Sequence, residues 1–120
     1  MTRLEFFIES ARLEVWAYEQ AGIVIACFTF WRSPEQQMIE YNAGRSRVKT
    51  GKHQAWLAKD YMVVDDIDKD LIVDKDEIRW GFDILSPSDP YLILGQEWER
   101  RGGIWGGRWE NLSDPYHFEG

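Results

Sequence analysis

Cysteine, histidine and positive charge are all scarce in this chain of 120 residues. The single cysteine, Cys27, excludes an internal disulfide framework and a cysteine-rich zinc finger. Fourteen Lys and Arg stand against 21 Asp and Glu, a formal net charge of −7. Nucleic-acid binders carry a basic stripe that neutralises phosphates, and the one basic cluster here is the short stretch of Arg45, Arg47, Lys49 and Lys52. The charge balance therefore argues against a nucleic-acid partner, and equally against adhesion to an anionic membrane. The longest apolar run, Gly22 to Trp31, falls far short of the ~20 residues that cross a bilayer. No basic segment leading into an apolar core opens the sequence, so the expectation is a protein made in a cytoplasm without a signal peptide. What the chain does have is 44% apolar and 15% aromatic residues, which excludes intrinsic disorder. Its length fits one domain, residues 1–120, able to bury about two-thirds of its unfolded surface.

Capping chemistry and apolar spacing predict the elements. Thr2 with Glu5 forms a capping box for a helix that ends at Gly22, and Leu4, Ile8, Ala11, Val15 and Tyr18 make an apolar stripe expected to face the core. Ile23 to Phe30 reads as a buried strand, with Cys27 an inert residue inside it. Ser33 and Pro34 start a second helix that stops at Gly44. Leu57 to Val64 reads as a strand and Leu71 to Val73 as a further one, with a turn over Asp65 to Asp70. A last helix is expected over Ser86 to Arg101, capped by Ser88 or Asp89 and closed by Gly102 and Gly103. A short strand near His117 and Phe118 ends the chain. The class is α+β, a small antiparallel sheet with packed helices.

The chemistry gathers around the two histidines. Taken singly, a histidine is more often a satisfied polar residue than a ligand, but the neighbours of His53 and His117 change the balance. His53 precedes Asp60 by seven residues, an odd offset that would place them on opposite faces of a straight strand, so His53 belongs to the loop before it. Asp60 then projects from the strand on the face of Met62 and Val64, where a carboxylate needs a partner or a metal. In Asp114-Pro115-Tyr116-His117, the aspartate and histidine are close enough to serve one site. Two histidines and one aspartate can make a three-ligand zinc site in a central groove, with the fourth position left for water and Asp114 beside it.

The residues also match a known pattern. Thr29-Phe-Trp-Arg-Ser-Pro-Glu-Gln-Gln37, Tyr41-Asn-Ala-Gly-Arg45, Lys52-His-Gln-Ala-Trp-Leu-Ala-Lys-Asp60 and Trp105-Gly-Gly-Arg-Trp109 followed by Asp114-Pro-Tyr-His-Phe-Glu119 stand in the order of a zinc peptidase family. The chain resembles that family, which holds D-Ala-D-Ala carboxypeptidases, D-Ala-D-Ala dipeptidases and phage L-alanyl-D-glutamate endolysins, over roughly residues 3 to 119. It looks most like the short endolysin branch. The resemblance implies that His53, Asp60 and His117 are zinc ligands, that Asp114 is the catalytic base, and that Arg32 faces the scissile carbonyl. A fixed guanidinium suits that place, because it can stabilise the oxyanion formed when an amide is attacked. Gln37 matches a position near the substrate groove. Two departures stand out: Gly51 replaces the family's Ser two residues before the first histidine, and Trp56 replaces its Gly three residues after. Neither is a ligand.

The resemblance implies a peptidoglycan stem peptide as substrate, cut at L-Ala–D-Glu by a monomer of phage or prophage lysis type, which reaches the cell wall or periplasm after release from the host cytoplasm. A D-Ala-D-Ala carboxypeptidase is the near alternative, and a zinc-bearing phage structural or wall-binding module without activity the distant one. The presence of both Arg32 and Asp114 argues against the last, since a structural zinc site needs neither. Other signals have plainer readings. Asp66 to Glu77 places carboxylates at EF-hand offsets, but Leu71 stands where the loop needs glycine, and a solvated turn is the simpler reading than calcium. Gly44 to Lys52 does not have the spacing of a phosphate loop. Of Trp98, Trp105 and Trp109, at least two are expected in the core and one could floor a groove.

Overall fold

A computed structural model of the chain describes residues 1–65 and 69–120. The elements follow in the order α1 (Arg3–Ala21), β1 (Val24–Thr29), α2 (Pro34–Asn42), β2 (Ala58–Val64), α3 (Pro90–Arg100), β3 (Ile104–Trp105) and β4 (His117–Glu119), with single 3-10 turns at Lys75–Glu77 and Gly106–Arg108. The architecture is α+β. The four strands form one antiparallel sheet in the order β1-β2-β4-β3.

The caps are those expected from local chemistry. Thr2 accepts from the Glu5 amide, Ser33 from Gln36 and Asp89 from Tyr91, each satisfying an amide that the first helical turn leaves free. Gly22 ends α1 in the left-handed conformation, at φ 66°, which a residue without Cβ adopts readily.

Alternation along the strands divides the sheet into two faces. Tyr61, Val63 and Phe118 point to the side covered by α1 and α3, where they meet Phe6, Leu13, Leu94 and Trp98 in the core. Rings of Phe6 and Trp98 cross edge to face at 5.7 Å, and Tyr61 and Phe118 do the same at 5.5 Å. Asp60, His117 and Glu119 occupy the opposite face, because Asp60 pairs with His117 across the ladder and Ala58 with Glu119. Trp98 and Trp105 are buried in the core, whereas Trp109 borders the cleft on the other face.

Three expectations are corrected. The stripe Leu4, Ile8, Val15 and Tyr18 faces outward: Leu4 is 66% and Tyr18 68% exposed, and the buried positions of α1 are Phe6, Ser10, Leu13 and Ala17. These recur at four, three and four residues, so they form an equally regular stripe. It is the one that meets Trp98 and the sheet, with Ser10 and Ala17 small enough to let the helix lie close. Next, β1 is an edge strand rather than a buried one. It pairs on one side with β2 alone, which leaves Val24, Cys27 and Phe28 exposed. Finally, Leu71 to Val73 forms no strand. The Asp70 carboxylate captures the Ile72 amide at 2.8 Å and Leu71 takes φ 65°, which breaks the extended path. Ile78 instead bridges to Val64. In the acidic stretch read as a solvated turn, Asp66 and Asp68 lie outside the described residues, and Glu77 accepts from the Asp74 amide. No helix among the described residues is long and apolar enough to cross a membrane.

Candidate metal centre and active-site cleft

A cleft of about 560 Å³ opens on the face that carries Asp60 and His117, and Arg32, Gln37, His53 and Asp114 also line it. Every site residue expected from the sequence therefore meets in one cavity. Each comes from a different local device. Asp60 and His117 sit opposite one another on β2 and β4. His53 lies in the turn just before β2, as its odd offset required, and is 5% exposed. Arg32 follows an irregularity in the β1–β2 pairing between Cys27 and Thr29, which redirects the end of β1 toward the cleft.

The turn from Asp114 to His117 is braced from beneath. The Asp114 amide donates to the Gly106 carbonyl at 3.0 Å, the His117 amide to the Asp114 carbonyl at 3.2 Å, and the Trp105 indole to the Pro115 carbonyl at 2.9 Å. Any side chain at Gly106 would meet the Asp114 carbonyl at 2.5 Å, so only glycine permits this approach.

The two imidazoles are oriented by their far nitrogens. His53 Nδ1 lies 2.8 Å from the Phe30 carbonyl, which can only accept, so Nδ1 carries a proton and Nε2 faces Asp60 Oδ2 at 3.5 Å. His117 Nε2 lies 3.1 Å from Glu119 Oε1, and its Nδ1 faces Asp60 Oδ1 at 3.3 Å. That carboxylate oxygen is buried with no hydrogen-bond donor among the described residues. Two imidazole nitrogens and a carboxylate oxygen thus converge within 4.8 Å of one another, and His53, Asp60 and His117 could hold a metal ion. The orphaned Oδ1 and the two facing imidazole nitrogens, once deprotonated, are what a cation between them would satisfy. Borderline nitrogen and hard oxygen donors in a set of three suit zinc.

Charges follow from this crowding. Burial alone would raise the Asp60 carboxyl, but His117 and His53 outweigh it and hold it well below the usual range. Burial would likewise lower His117, yet Asp60 and Glu119 push it up to about 9. Asp114 moves the other way: burial, then the nearby Asp60 charge, raise its carboxyl above 3.8. Its Oδ1 accepts from the Tyr116 amide at 3.1 Å.

Arg32 is held at both ends of its fork. Nη2 reaches Asp60 Oδ2 at 3.4 Å and Nη1 donates to Gln37 Oε1 at 3.0 Å. Gln37 is buried, and its Nε2 donates to Ser46 Oγ and the Val48 carbonyl, both at 2.8 Å. It therefore ties Arg32 to the basic loop. Gln54 adds donors to the Arg32 carbonyl and to Gln37 Oε1.

The two departures from the family pattern have backbone explanations. Trp56 adopts φ 61°, the left-handed region where glycine is favoured. Its ring is kept there by stacking on Trp31 at 6.0 Å and meeting Phe30 edge-on at 5.4 Å. At Gly51 a Cβ would stand 3.0 Å from Val48 Cγ2, and the amide donates to Gln54 Oε1. Trp109 is the tryptophan that borders the groove, whereas Glu119 and Gln54 had no role assigned from the sequence. The strand period held the signal for Glu119, since two residues beyond His117 is the same face.

No protein-family model and no curated protein matches this sequence. Among solved structures, the chain is similar to the L-Ala D-Glu endopeptidase ChiX of Serratia marcescens, with a TM-score of 0.64 and 20% identity. The match covers 92% of this chain and 77% of that one, and it shows a shared fold.

Proposed function

We propose that residues 1–120 form a zinc peptidase domain that hydrolyses an amide bond in peptidoglycan stem peptides, at L-Ala–D-Glu. The observation that carries this reading is the Asp60 carboxylate between the His53 and His117 imidazoles, its buried Oδ1 without a hydrogen-bond donor among the described residues, with Asp114 and Arg32 lining the same cleft. The activity printed for the fold neighbour and the ordered motifs support the substrate class. When bound, zinc would lower the pKa of a water and polarise the scissile carbonyl.

Asp114 takes the proton as the water oxygen attacks the amide carbon. Its raised affinity for protons, set by burial and by Asp60, makes it a stronger base than a free carboxylate. Arg32, pinned by Gln37, presents a fixed positive charge to the oxyanion that forms. Asp114 then returns the proton to the leaving nitrogen, the C–N bond breaks, and a carboxylate and an amine are released. Gln37 borders the substrate groove and sets the position of Arg32. The lysis role, with a monomer made in a host cytoplasm and acting on the wall after release, rests on the sequence resemblance alone.

Mass spectrometry of purified muropeptides, incubated with the zinc-loaded protein and with a chelated control, tests this reading. New N-terminal D-Glu in the zinc sample alone supports it. Loss of a terminal D-Ala would make the protein a carboxypeptidase, and no cleavage would leave a non-catalytic module.

A further inference from the structure

The basic stretch that stood out in an acidic sequence is a wall of the cleft. Arg45, Arg47 and Lys52 line the cavity, whereas its acidic lining lies at the metal end, in Asp60, Asp114 and Glu119. The Arg45 charge is already engaged by Glu40 and that of Arg32 by Asp60. Arg47 has no ion pair or side-chain hydrogen bond among the described residues. Its guanidinium instead lies over the Trp109 ring, 5.2 Å from the centroid. Trp109 in turn packs against the His117 imidazole with ring centroids 5.0 Å apart. A cation–π contact of this kind holds the guanidinium in place without using its N–H donors.

We propose that Arg47, held over the Trp109 ring, is the receptor for a free carboxylate on the substrate residue that follows the scissile bond. This rests on the peptidase reading above and names the chemistry that the cleft selects. Glutamate whose nitrogen lies in the scissile amide carries two carboxyl groups. One continues the chain and the other is left free and negative. Two ring contacts, of 5.2 and 5.0 Å, link the guanidinium to His117, so a carboxylate close to the scissile nitrogen lies between the two. Arginine suits the task because its fork takes both oxygens of a carboxylate. A carboxamide in the same place presents one acceptor and no charge, so amidation of that group weakens recognition.

The test compares two stem peptides, one with the free carboxylate and one with the same group as carboxamide, on zinc-loaded wild type, Arg47→Gln and Arg47→Lys. Equilibrium binding of the dipeptides L-Ala–D-Glu and L-Ala–D-isoglutamine to the same proteins is measured in parallel. Wild type is expected to favour the carboxylate substrate by about 10–100-fold in kcat/KM, the range of a charge-assisted hydrogen-bonded pair. Arg47→Gln should bring that ratio close to one, and Arg47→Lys should restore only part of it. Equal rates on both substrates in wild type, or an undiminished preference in Arg47→Gln, would overturn the subsite and leave the peptidase reading standing. Arg47-dependent binding of the carboxylate dipeptide without cleavage of either stem would do the reverse. Neither binding nor cleavage would overturn both.

Discussion

His117 and Glu119 stand two residues apart on one face of β4, and the imidazole Nε2 lies 3.1 Å from the Glu119 carboxylate. The carboxylate thereby fixes the ring with Nδ1 toward Asp60. Orienting partners of this kind typically contribute about 10–100-fold to metal affinity. Glu119→Gln should weaken zinc binding by that order while leaving the fold intact. Competition against a chromogenic chelator, with far-UV circular dichroism as the folding control, checks this. Unchanged affinity would reduce the contact to a packing detail.

Removing a ligand should be more severe than removing its orienting partner. Purified wild type should carry about one zinc per chain, and His117→Ala and Asp60→Asn substantially less, because each deletes a donor. Metal analysis by plasma spectrometry decides it. Equal zinc in wild type and His117→Ala would take His117 out of the ligand set.

Asp114 should separate metal binding from hydrolysis. Asn keeps the size and the hydrogen bond from the Tyr116 amide but cannot take a proton. Asp114→Asn should retain its zinc and lose about 10²–10⁴ in rate, the typical worth of a general base. The readout is muropeptide cleavage beside zinc content. Full activity in this variant would exclude the proposed mechanism, and zinc loss would make Asp114 a ligand.

Arg32→Lys keeps the charge but not the planar fork that spans Asp60 and Gln37. The expected cost is about 10²–10³ in kcat, the typical loss for one oxyanion donor. Steady-state kinetics on a wall peptide measure it, and near wild-type kcat would confine Arg32 to a structural role.

Stability should fall in acid for a reason remote from the cleft. Hydrogen bonding to Arg100, against an opposing effect of burial, holds the Glu97 carboxyl below its ordinary 4.5. Arg101 joins Glu97 to Glu9 on α1, at 3.4 and 3.1 Å. A carboxylate whose folded pKa is depressed contributes stability that is present above the unfolded value and lost as pH falls through the folded one. The Tm of the metal-free protein should therefore drop as pH is lowered from 5 toward 3, and the drop should be smaller in Glu97→Gln. Parallel curves for the two proteins would show that Glu97 does not link stability to pH.

What the sequence by itself determined was local chemistry. Thr2, Ser33, Asp89 and Gly22 cap helices through groups within three residues of themselves or through their own backbone freedom, so no distant partner is needed to recognise them. The odd offset from His53 to Asp60 likewise placed one in a turn and the other on a strand. Tertiary structure alone decided the matters that need a partner. Both stripes of α1 have helical spacing, and the burial of Phe6 rather than Leu4 depends on Trp98, far along the chain. The apolar β1 has an exposed face because the sheet order leaves it at an edge. The isolated oxygen of Asp60, the Glu119 contact to His117 and the seating of Arg47 on Trp109 arise only when segments distant in sequence meet, and pairwise proximity of that kind is not written in periodicity or composition.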